Sequence, residues 1–183
     1  MRLDVRHFRD VEATDMDEWR GLQQRVNSAD EVSLGAGLRW AKLEPADYLI
    51  RLWDDCDLRA CAWVTLRAIR VDGRETHAVG VRGVMTDPSY RRRGFGRLVM
   101  ERAQELIRSR SDCEFGLLFS SVMAIPFYEA LGWRTVPGPV RCHQPGGDIE
   151  YTEHLPEAPV MAFMRDQATA PPAGTIDVAG LPW

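Results

Sequence analysis

The chain has 183 residues, enough for one domain with a full-sized core. With 45% hydrophobic and 27% charged residues and a formal net charge of -4, it reads as an ordinary globular protein without the basic excess of a non-specific nucleic-acid binder. No stretch approaches a membrane span, and the first residues lack the apolar core of a signal peptide. The four cysteines (Cys56, Cys61, Cys113, Cys142) form no Cys-x-x-Cys pair and show no His-linked metal spacing. They are expected to be reduced thiols in a cytoplasmic protein that engages no metal, no nucleic acid and no membrane.

Leu3, Val5 and Phe8 alternate with polar residues and predict a short first strand. Thr14 or Asp15 can cap a helix carrying Trp19, Leu22 and Val26. Residues 27–37 are rich in turn formers and predict a connection or an irregular helix. Residues 44–47 open a short helix or lead directly into a strand over 48–53. A long strand over 58–71 follows, and Val71-Asp72-Gly73-Arg74 is the clearest hairpin signal in the chain. Its partner runs over about 75–85. A helix is predicted over 94–110, with Phe95, Leu98, Val99, Ala103, Leu106 and Ile107 on one stripe. The continuous apolar run 114–120 predicts a strand covered on both faces. A short helix starts near Met123, because Pro126 fits only a first turn, and Gly132 ends it. A strand interrupted by Pro137 and Pro139 is expected over 133–140, a polar loop over 143–156 and a last strand over 159–165. The division is a domain over 1–166 and a tail over 167–183, extended and loosely held from Asp166.

The chain is organised around Val84-Met85-Thr86-Asp87-Pro88-Ser89-Tyr90-Arg91-Arg92-Arg93-Gly94-Phe95-Gly96. A strand ends, Pro88 stops its ladder, and a basic turn with two glycines feeds a helix N-terminus. Free backbone N–H groups and the helix dipole make such a turn receptive to an anion. Gly94 and Gly96 remove side chains that would hold phosphate oxygens away from the backbone. The plain alternative is a strand–turn–helix with a solvated arginine cluster.

Arg91-x-x-Gly94-x-Gly96, following Thr86-Asp87-Pro88, resembles the acyl-CoA pyrophosphate loop of the GNAT N-acetyltransferases. The resemblance implies an α/β single domain with a mixed sheet of about six to seven strands flanked by helices. It implies acetyl-CoA as co-substrate, with Arg91, Arg92, Arg93, Gly94, Phe95 and Gly96 at the pyrophosphate and Val84, Met85 and Thr86 along the pantetheine arm and thioester. In the family this strand splays from the next one, and a backbone N–H can face the thioester oxygen. Residues 125–133, with Phe127-Tyr128 and Gly132-Trp133, are similar to the segment that carries the family's general acid, which places Tyr128 in that role. A phenol with a reference pKa of about 10 holds its proton at neutral pH. A core tyrosine on a helix face is the plain alternative.

Some relatives place a glutamate base on the strand before the loop. Here Arg82 occupies the nearest position, and a guanidinium accepts no proton. Glu44, Asp47, Glu150, Glu153, His143 and His154 are the other candidates, each also readable as a solvated side chain. A narrower resemblance, to aminoglycoside acetyltransferases acting on a 2′-amino group, rests on Phe119-Ser120-Ser121, Tyr128, Leu131-Gly132-Trp133, the loop Pro145-Gly146-Gly147-Asp148-Ile149-Glu150 and the ending Asp177 to Trp183. It implies a cationic small-molecule amine acceptor and a tail that returns to the acceptor site. The expected function is direct acetyl transfer to a primary amine. The alternatives are a protein or peptide N-acetyltransferase and a non-catalytic acyl-CoA-binding protein, with a homodimer left open.

Overall fold

A computed structural model describes residues 1–29, 45–144, 147–150 and 159–181. In chain order the elements are β1 (Arg2–His7), α1 (Ala13–Ala29), β2 (Tyr48–Asp54), β3 (Asp57–Val71), β4 (Arg74–Thr86), α2 (Phe95–Ser109) and β5 (Cys113–Phe119). Then come α3 (Ile125–Glu129), β6 (Arg134–Thr135), β7 (Val140–Gln144), β8 (Gly147–Glu150), β9 (Val160–Met164) and β10 (Ile176–Asp177). Strands β1 to β4 form an antiparallel meander, with the expected Asp72-Gly73 turn between β3 and β4. α2 then crosses over so that β5 lies parallel to β4, and β9 pairs antiparallel with β5. The result is a mixed, mostly antiparallel sheet with helices on its faces. Among the described residues no helix is long and apolar enough to cross a membrane.

The two faces of the sheet carry different cores. Ile50, Leu52, Ala62, Val64, Val79 and Val81 pack against Val99, Met100, Ala103 and Ile107 of α2. The buried positions of α2 recur at three- and four-residue spacing, and the expected Leu98 and Leu106 are only half-buried at its margins. On the opposite face, Leu49, Trp53, Cys61 and Trp63 pack with Leu22 under α1. Farther along that face, Phe115, Leu117 and Val160 join Val140, Ile176 and Val178.

Several expectations are corrected. The described strands number ten, because β7, β8 and β10 add to the seven expected. Phe8 leaves the first strand and enters a 3₁₀ turn, Phe8–Asp10. α1 starts at Ala13, so Asp15 lies inside the first turn, accepts the Glu12 N–H (2.9 Å), and pairs with Arg51 and Arg6. The buried Arg51 guanidinium demands a carboxylate there, which overrides a simple cap. Residues 27–29 are helical, and residues 30–37 lie outside the described residues. The interrupted strand over 133–140 reduces to β6, since prolines 137 and 139 cannot donate to a ladder. The expected polar loop contains the β7–β8 hairpin instead. β9 is not the last strand, and the tail is not loose. Ile176 and Val178 are fully buried, and β10 lies antiparallel to β3 and parallel to β7.

Candidate functional site

β4 is paired on both sides only over its first part. His77 to Val81 match Cys113 to Leu118 of β5, and Val81↔Leu118 is the final pair. Among the described residues Arg82 to Thr86 pair with β3 alone, so the two parallel strands part and leave a β4 backbone edge facing the gap. Within this free part the register slips. Trp63 pairs with Arg82 and Cys61 with Met85, so Gly83 and Val84 together oppose Ala62. This is a β-bulge, and Gly83 (φ 56°) supplies the left-handed residue it needs. The bulge re-aims the amides of residues 84–86 relative to a regular ladder.

Beyond Thr86 the chain makes a 3₁₀ turn, Pro88–Tyr90, whose start is capped by Asp87 accepting the Ser89 N–H (3.0 Å). Arg91 to Gly94 are exposed, with Arg92 (φ 62°) and Gly94 (φ 84°) in left-handed backbone. The first helical bond of α2 runs from Leu98 N–H to Gly94 C=O (3.0 Å), and no side chain caps Gly94. The preceding amides of Phe95, Gly96 and Arg97 therefore project from the helix end without helical acceptors. The Phe95 side chain is buried in the α2 core, so this residue can serve a ligand only through its backbone. A Cβ at Gly96 would lie 3.0 Å from Thr86 Oγ1 and 3.4 Å from the Phe127 ring. The strand end, the helix start and α3 thus meet closely at Gly96.

Tyr128 sits on α3 and is 8% exposed, in the same packed cluster as Phe95, Val99 and Leu118. Its ring meets Phe127 and Trp133 edge-on, with centroids at 5.0 and 6.3 Å. Its carbonyl accepts from the amides of Leu131 and Trp133, which closes α3 at Gly132. Burial pushes its phenol pKa up to about 12. The proton is therefore held at any physiological pH.

Arg82 is half-buried and, as the partner of Trp63, faces the α1 side of the sheet. Of the base candidates, Asp47 is committed to structure: its carboxylate accepts the Leu66 N–H (2.6 Å) while its backbone bonds Val64 and Phe8. His143 is exposed on β7, and its amide donates to Gly180 C=O (2.7 Å). Glu150 ends β8, and Glu44, Glu153 and His154 lie outside the described residues.

A model of the "Acetyltransferase (GNAT) domain" family matches residues 7–136. The chain belongs to the GNAT acetyltransferase family. No curated protein sequence matches it significantly. Among solved structures it is similar to Escherichia coli ElaA (13% identity, 88% of this chain and 99% of that one, TM-score 0.60). It is also similar to the ribosomal-protein-S18-alanine N-acetyltransferase of Escherichia coli (20%, 89% and 94%, 0.55). A third similar structure is a GNAT family acetyltransferase of Brucella melitensis in complex with acetyl-CoA (15%, 73% and 83%, 0.52).

This GNAT chain also holds a group that the sequence reading passed over. Asp87 is 2% exposed, and its Oδ2 accepts from Arg25 Nε (2.9 Å) on α1 and Arg59 Nη1 (3.0 Å) on β3. Burial raises the Asp87 pKa, but the Ser89 amide and the two guanidiniums outweigh it and hold the carboxyl below its ordinary value. The Arg59 guanidinium lies 4.4 Å from the Tyr90 ring centre and that of Arg93 5.0 Å from it. An Asp-Pro turn signal could have exposed Asp87 as a cap. Nothing local connects residues 25 and 59 to it.

Proposed function

We propose that this GNAT protein transfers an acetyl group from acetyl-CoA directly to a primary amine of a small molecule. The observation that carries the reading is the parting of β4 from β5, which leads through a bulge into an exposed arginine turn and an uncapped helix start. Arg91, Arg92 and Arg93, with the amides of Gly94, Phe95 and Gly96, suit a pyrophosphate. The free β4 edge at Val84, Met85 and Thr86 suits the amide-bearing pantetheine arm, by the same logic that adds a strand to an open edge. An amide of the bulge is suited to bond the thioester oxygen as it becomes an oxyanion.

In the reaction, the neutral amine attacks the thioester carbonyl, and the nitrogen of the tetrahedral intermediate gives up a proton to water. The C–S bond then breaks, and CoA departs as a thiolate that takes a proton from solvent. Tyr128 is the proposed hydrogen-bond donor at the leaving sulfur. A phenol near 12 gives up its proton reluctantly to a thiolate with a reference pKa of about 8.5. Its chief contribution is therefore a hydrogen bond that strengthens as charge develops on sulfur. The cysteines support transfer without an acyl-enzyme. Cys61, Cys113 and Cys142 are buried, the first two with thiols pushed up by burial, and Cys56 lies in the β2–β3 turn.

The C-terminal tail belongs to the same proposal as one wall of the acceptor side. Arg67 Nη1 donates to Leu181 C=O (2.7 Å), and alternation along β3 puts Arg67 on the face shared by Trp63 and Arg82. Asp177 is engaged locally, accepting the Ala179 N–H (2.8 Å). A protein or peptide acceptor is the second reading, favoured by the likeness to the enzyme named for the alanine of ribosomal protein S18. The test is release of CoA thiol from acetyl-CoA with a panel of small amines, aminoglycosides included, run beside peptides with free N-termini and lysines. Amine-dependent release with the small molecules is expected. Release with peptides alone selects the second reading, and CoA binding without release selects a binding protein.

A further inference from the structure

We propose that Asp87, Arg25 and Arg59 form a positioning clamp for the donor loop, so that donor affinity is set partly by α1. The inference rests on the acetyl-CoA reading above, but its residues lie outside the loop proposed to touch the donor. The Asp87 carboxylate works in three directions. Oδ1 holds the Ser89 amide and so the turn Pro88–Tyr90, while Oδ2 takes one guanidinium from α1 and one from β3. Arg25 also donates to Leu58 C=O (3.0 Å), and the Asp87 amide donates to Arg59 C=O (2.7 Å). The strand end is thereby fixed against both neighbouring elements before the arginine turn begins.

The clamp reaches the loop itself through Tyr90. Arg59 stacks on the Tyr90 ring, Arg93 lies over the same ring, and Phe95 at the first position of α2 meets it edge-on at 5.0 Å. One loop arginine and the helix start are therefore registered on a tyrosine whose place depends on Arg59, and Arg59 depends on Asp87. Charge sets the balance. Among the described residues Asp87 and Asp57 are the carboxylates that ion-pair with Arg59, and Asp87 alone joins it to Arg25. With a neutral group at 87, two guanidiniums that share one oxygen lose their common counter-charge and separate.

This arrangement makes a prediction opposite in sign to plain electrostatics. Asp87→Asn removes a negative charge near a polyanion site, which by itself should tighten CoA binding. The clamp predicts the reverse. CoA titrated calorimetrically into the full chain at low salt should bind about tenfold more weakly to Asp87→Asn. Arg25→Gln, at a side chain 42% exposed, should lose about threefold with a Tm near wild type, and this second variant covers the case in which Asp87→Asn does not fold. Arg59→Lys should recover part of the affinity lost in Arg59→Met. A purely structural role would move Tm and affinity together in all of these variants, and that result overturns the clamp. Wild-type-like or tighter CoA binding in Asp87→Asn and Arg25→Gln overturns it as well. Failure of the wild-type chain to bind CoA overturns the donor reading, and the clamp falls with it.

Discussion

The two parts of β4 make an instructive contrast. From Ala78 to Val81 the strand is an ordinary buried sheet strand, with β3 and β5 on its edges and Ala78, Val79 and Val81 buried in the two cores. From Arg82 to Thr86 it departs from that pattern, with a bulge, a left-handed glycine, a half-buried arginine and, among the described residues, one partner strand. Both parts belong to one continuous chain, so the first holds the second in place. Stability is concentrated where the edges are closed, and chemistry is assigned where one is open.

The contrast can be broken most sharply beneath the open part. Tyr128→Phe keeps the packed ring and removes the hydroxyl, so kcat should fall about a hundredfold while CoA affinity stays within about twofold. Unchanged turnover removes Tyr128 from the chemistry. Next come paired substitutions within β4. Gly83→Val forces a β-branched residue into left-handed backbone, where a Cβ would lie 3.1 Å from the Trp63 ring. It should lower kcat/KM about tenfold for about 1 kcal/mol of stability, read by kinetics and by urea unfolding. Val79→Ala, in the closed part, should cost about 2 kcal/mol of stability and leave kcat/KM of the folded enzyme unchanged. If both lower activity equally, the division between the two parts has no functional meaning.

Smaller effects follow from charge. The loop arginines are exposed, so moving from low to physiological salt should raise the KM for acetyl-CoA severalfold. The smallest concerns acid stability. Burial raises the pKa of both Asp87 and Asp15, but their amide and arginine partners overcompensate and leave both lowered. A lowered folded pKa means stability that is present above the ordinary carboxylate value of about 3.9 and is lost as pH falls through the folded value. The unfolding free energy from urea melts should therefore fall more steeply with pH below about pH 4 in the wild type than in Asp15→Asn.

The sequence was legible where the signals are local. The Asp-Gly turn, the apolar stripe of α2 and the arginine-glycine run each occupy a few consecutive residues, and the fold places them as expected. Strands β7, β8 and β10 were not legible: the β7–β8 hairpin lies in a stretch that reads as a polar loop, and β10, two residues long, exists only through partners distant in sequence. The tail reads as extended and proline-bearing, yet Ile176 and Val178 bury, and backbone bonds to the β3–β4 turn and to β7 seat it. The clamp was hidden for the same reason, since residues 25, 59 and 87 come from three elements. Base candidacy is likewise decided by long-range partners, since Arg82 accepts no proton and Asp47 is spent on the Leu66 amide of β3.

The left-handed backbone at Arg92 has a consequence for how this protein can evolve or be engineered. A residue with a Cβ at φ 62° costs about 1–2 kcal/mol, and that load is borne by the protein's own contacts. Replacing it by glycine would relax the fold and at the same time remove one of three exposed cations beside the helix start. If Arg92 contacts the donor as proposed, thermostability and donor affinity draw on the same position in opposite senses, and selection for heat resistance alone should erode binding there first.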